Sequence, residues 1–80
     1  MKSITIKYFA SMRELSKHSE ETIDTNANTA EELYQQLQAQ YHFPLAIKEL
    51  RVAVNDQFSD MDYELQSGDE LVFIPPMSGG

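Results

Sequence analysis

The sequence predicts an α+β domain in which one main helix packs on one face of a mixed sheet of four to five strands. Three observations lead there. The chain has 80 residues, which suits one small domain and no more. Strand patterns stand at its two ends, over residues 2–9 and 70–74. Between them, residues 30–41 carry the strongest helical signal.

Each element has its own reason. From Lys2 to Phe9, Ile4, Ile6 and Tyr8 alternate with Ser3, Thr5 and Lys7, the period of a strand with one buried face. Ala10 to Leu15 reads as a short helix or turn, and His18-Ser19-Glu20 as a polar connection. Glu21 to Thr25 is a short second strand, antiparallel to the first. Thr29 is a good helix N-cap, and Glu32, three residues on, completes a capping box. Ala30, Leu33, Leu37 and Tyr41, with Tyr34 beside them, share one helix face; Glu31, Gln35, Gln36 and Gln38 take the other. Pro44 ends any continuation. Leu45 to Leu50 is an apolar crossing segment without a clear pattern. Arg51 to Asn55 is a third strand, with Val52 and Val54 on one face. Asn55-Asp56 turns the chain, Phe58 and Leu65 flank a loop, and Ser67-Gly68-Asp69 turns it again into the last strand, Glu70 to Ile74. Pro75-Pro76 stops that strand, because neither residue donates a ladder hydrogen bond.

With one helix to cover the sheet, the first and last strands can lie side by side in parallel, joined by a right-handed crossover. That is the β-grasp arrangement. It puts the last strand at the centre, with a domain over 1–74 and an extended tail over 75–80.

Composition excludes several functions. The formal net charge is -7, and the six basic residues are scattered, which argues against nucleic acid and against an anionic membrane. A partner with a basic docking face fits the charge, as does mere solubility. There is no cysteine, hence no disulfide, thiol nucleophile or thiolate metal ligand. Residues 1–5 lack the apolar run of a signal peptide, so cytoplasm is the expected location. Asp60-x-Asp62-x-Glu64 opens like a calcium loop, but position 65 is Leu and Leu71 stands where the closing Glu belongs. It reads as a solvated acidic loop. His18 and His42 lack companions at metal spacing, and no metal is expected. Ser11, Ser16 and Ser78 have no visible base.

The end of the chain is the chemical feature. Pro75-Pro76 holds the backbone extended, and Met77-Ser78-Gly79-Gly80 adds little bulk after it. From Pro75 to Gly80 the reach is about 20 Å at roughly 3.3 Å per residue, enough to enter a narrow channel in another protein. Two terminal glycines permit close backbone approach. The α-carboxylate is ionised at neutral pH and is a poor acyl donor. Attack on the α-phosphate of ATP makes it an acyl-adenylate, from which a sulfur nucleophile can displace AMP and leave a thiocarboxylate. A bare Gly-Gly end is more often a frayed terminus; here it follows Pro-Pro and an apolar strand. In that strand Leu71 and Phe73 share one face, Val72 and Ile74 the other. One pair should meet the helix, and the other either docks a partner beside the tail or is covered within the chain. The expected docking residues are Val72, Phe73 and Ile74.

The chain resembles the small-subunit family of molybdopterin synthases, within the ubiquitin-like sulfur-carrier group. The resemblance rests on Tyr8-Phe9-Ala10, Arg13-Glu14-Leu15, Val52-Ala53-Val54-Asn55, Gly68-Asp69-Glu70-Leu71 and, most specifically, Phe73-Ile74-Pro75-Pro76-Met77-Ser78-Gly79-Gly80. Met77 departs from the smaller β-branched residue often found there. The resemblance implies that an adenylating, ubiquitin-activating-like enzyme uses ATP on Gly80 and that a sulfur donor protein converts it to thiocarboxylate. The tail then enters the large synthase subunit and gives sulfur to cyclic pyranopterin monophosphate. On that reading the chain is not catalytic alone and binds no cofactor stably. A thiamine-pathway sulfur carrier and a ubiquitin-like protein modifier are the alternatives.

Overall fold

The computed structural model describes residues 1–75. Its elements are β1 (Lys2–Lys7), α1 (Ala10–Ser16), β2 (Glu20–Thr25), α2 (Ala30–Tyr41), a 3-10 turn (Ile47–Glu49), β3 (Arg51–Val54), β4 (Gln57–Ser59) and β5 (Glu70–Ile74). The five strands form one sheet in the order β2-β1-β5-β3-β4. β1 and β5 run parallel, and the other neighbours are antiparallel. This is the β-grasp topology, with the last strand central.

Alternation in β1 places Ile4 and Ile6 in the core, fully buried. They meet Ala30, Leu33, Tyr34 and Leu37 of α2, Val52 of β3 and Leu71 and Phe73 of β5. Removing each large side chain from water contributes roughly 1.5–3 kcal/mol. α1 adds Met12 to the same core.

Several local outcomes differ from the sequence pattern. β1 ends at Lys7 because Ala10, at φ 46°, swings the chain into α1. The Asn55-Asp56 turn, with both residues at positive φ (51° and 71°), closes a two-residue hairpin into β4, a strand the pattern does not reveal. The capping box is half formed. Thr29 Oγ1 accepts from Glu32 N at 3.2 Å, but Glu32 reaches past Thr29 to accept from Asn28 N at 3.1 Å. Gln38 is not on a solvated face: its Nε2 donates to Phe43 O and Leu45 O, both at 3.1 Å, and pins the chain returning from the helix. α2 stops before Pro44, with His42 in the left-handed region as its cap.

The acidic loop also has a structural task. Met61 O and Tyr63 O accept from Glu31 N (2.8 Å) and Ala30 N (3.0 Å), two of the donors that a helix start leaves unpaired. The carboxylates face solvent while the backbone beneath them caps α2.

Candidate functional site

β5 is held on both sides. Its ladder to β1 matches Ile6 with Leu71 and Lys7 with Val72. Its ladder to β3 matches Ala53 with Val72, Val52 with Phe73 and Arg51 with Ile74. Pro75, half-buried, follows with no N–H to extend either ladder. Pro76, Met77, Ser78, Gly79 and Gly80 lie outside the described residues.

The strand's two faces have separate roles. Phe73 is fully buried, with its ring centroid 5.4 Å from that of Tyr34. It therefore anchors the strand and offers no surface, which corrects its place among the docking residues: α2 covers the face that Leu71 and Phe73 share. Val72 and Ile74 point to the open face and are half-buried. Ala53 lies beside Val72, and Phe58 of β4 lies beside Ala53 in register. Phe58 is 75% exposed. Phe9, at 53%, lies two residues beyond Lys7, in the direction that β5 takes from Val72 to Ile74. Val72, Ala53 and Phe58 thus form one apolar row across β5, β3 and β4 on the open face, with Ile74 next to it along β5. Phe58 and Phe9 were missed as surface residues. The hairpin signature at Asn55-Asp56, followed by Gln57-Phe58-Ser59, was the available signal for the first.

Charge borders this surface. Lys7 Nζ lies 3.3 Å from Glu70 Oε1. Arg51 stands exposed opposite Ile74. The half of the open face over β1 and β2 is polar, with Thr5 and Thr22 hydroxyls 2.9 Å apart.

The remaining titratable groups serve the fold. Tyr8 and Tyr41 both donate to Glu21 Oε2. Burial, then the hydrogen bond to Glu21, raises both phenols, Tyr41 to about 12 and Tyr8 further. Burial also raises Tyr34, with the Glu49 charge adding to it. The hydrogen bond to Asp69, ahead of burial, raises Tyr63. Ser16 Oγ donates to His18 O at 3.1 Å and accepts from His18 N, which makes it a turn residue. His18 rests its ring edge-on against Tyr41. Among the described residues no group of three or more His, Cys, Asp or Glu is placed to hold a metal ion, and no helix is long and apolar enough to cross a membrane.

The model of the ThiS family matches residues 6–80. The molybdopterin synthase sulfur carrier subunit of Escherichia coli (strain K12) is 35% identical over 80 residues, covering 96% of this chain and 99% of that protein. Among solved structures, the complex of subunits 1 and 2 of molybdopterin-converting factor from Helicobacter pylori aligns with a TM-score of 0.65 and 25% identity, over 98% of this chain and 99% of the other. SAMP1 from Haloferax volcanii aligns with a TM-score of 0.75 at 23% identity, over 98% and 99%, a likeness of fold.

Proposed function

The chain belongs to the ThiS family, and on that footing we propose that it is the sulfur-carrier subunit of a molybdopterin synthase. The observation that carries the reading is the run Pro75-Pro76-Met77-Ser78-Gly79-Gly80 directly after the central strand of the sheet. The name of the E. coli relative and the subunit pairing in the H. pylori complex support it.

In this reading the Gly80 carboxylate attacks the α-phosphate of ATP in a partner enzyme and expels pyrophosphate. Sulfide released by a donor protein then attacks the acyl carbon and displaces AMP, with loss of its proton, and leaves a C-terminal thiocarboxylate. The tail, Pro75 to Gly80, carries that sulfur into the large subunit and gives it to cyclic pyranopterin monophosphate; water cleaves the acyl–sulfur bond and restores the Gly80 carboxylate. The chain supplies the acyl group, its rigid mount and the docking face of Val72, Ile74 and Phe58. Acid–base groups and the ATP site belong to its partners.

An intact mass of the chain from its native host tests this. One terminal oxygen replaced by sulfur is expected, and deletion of Gly80 should abolish that form while the circular dichroism stays native. Normal loading of the shortened chain would refute the role of Gly80. Sulfur delivery to a thiazole-forming system in place of the pterin would move the chain to the thiamine pathway.

A further inference from the structure

We infer that Arg51 reads the charge of the partner: its guanidinium pairs with a carboxylate on the large subunit, beside the point where the tail leaves the sheet. The inference rests on the molybdopterin-synthase reading and deepens it, because it concerns how the same interface selects what covers it.

Position is the first reason. Arg51 opens β3 directly opposite Ile74, on the open face with Ala53 and Val72. A partner that receives the tail and covers Ile74 and Phe58 must also cover Arg51. The second reason is the contrast with Lys7. Lys7, next to Val72 on the other ladder, is already paired with Glu70. Arg51 makes no ion pair among the described residues. Stripping water from an unpaired guanidinium is costly, so a partner lacking an acceptor there would be rejected. The acceptor that matches a planar fork of N–H donors is a carboxylate. An open cleft of about 360 Å³ adjoins Arg51, between Lys48, Ser59 and Met61. Glu49 and Asp60 line it too, and neither forms an ion pair with Arg51 among the described residues.

This assignment opposes the long-range electrostatics of the molecule. Arg51→Glu removes one positive charge and adds one negative, taking the formal net charge from -7 to -9. If net charge alone governed association with a basic partner, that variant would bind faster and more tightly. If Arg51 meets a carboxylate, it binds more weakly. The two accounts differ in sign.

The experiment is calorimetric titration of the full chain into the large subunit from the same organism, at two salt concentrations. Arg51→Glu and Arg51→Ala are expected to raise Kd at least about 30-fold, and Arg51→Lys several-fold, through loss of the bidentate fork. Lys2→Glu makes the same charge change at the far end of β1 and should leave Kd unchanged or lower. Melting curves verify that each variant is folded, as expected for an exposed position. Wild-type binding with an Arg51→Glu variant equally tight or tighter would overturn this inference and leave the carrier reading intact. Absence of wild-type binding would overturn the carrier reading, and the inference with it.

Discussion

Single side chains set what this small domain can tolerate. Asp69 is the costliest to lose. It is buried, and its carboxylate accepts from Asn55 Nδ2 (3.0 Å), Tyr63 OH (2.9 Å) and Gln66 N (2.9 Å). Asp69→Ala strands those donors and should cost about 3 kcal/mol, read by urea denaturation. Asp56 works the other way. At φ 71° in the β3–β4 turn it sits in the left-handed region that glycine occupies freely, so Asp56→Gly should gain about 0.5–1 kcal/mol. A melting shift of a few degrees upward is the expected sign. The tyrosines give a pH dependence. Tyr8 and Tyr41 ionise less readily in the fold than in the open chain, so their stabilisation is complete below about pH 10. The share of Tyr41 falls as pH rises from there through about 12, and that of Tyr8 is lost at still higher pH. Tyr41→Phe should flatten that alkaline loss in denaturation curves collected across the range, whereas an unchanged slope would remove Tyr41 as a cause.

At the level of elements, β5 separates support from contact residue by residue. Phe73→Ala should cost about 3–5 kcal/mol and unfold much of the population. Phe58→Ser, on the exposed face of β4, should leave the melting temperature nearly unchanged and, on the function proposed above, weaken binding to a synthase large subunit at least 10-fold. Equal binding would remove β4 from the docking surface. The same strand shows what was legible beforehand. Alternation shows two apolar faces on Leu71–Ile74, but periodicity cannot say which face a helix covers, and so it cannot separate Phe73 from Val72 and Ile74 as docking residues. The α2 start was legible because Thr29 and Glu32 act through side chains. Capping by Met61 O and Tyr63 O was not, since every residue carries the same carbonyl. β4, with three residues, is too short for a period to register. Gln38 looked like a surface residue because its partners, Phe43 O and Leu45 O, are again main-chain atoms.

Across the whole molecule, the centrality of β5 ties function to the order of synthesis. β2-β1 and β3-β4 are two antiparallel pairs, and among the described residues no ladder joins them until β5 enters between them. β5 is also the last strand made, so a growing chain holds two separate ribbons, each marginal in isolation. The β1–β5 pairing spans most of the sequence, Thr5 to Glu70, a contact that forms late and slowly. Pro75 therefore gains its two-sided mount only once both pairs have closed on β5. A chain in which either pair fails to form leaves β5 without one of its two neighbours, so that Pro75 follows a strand held on one side only.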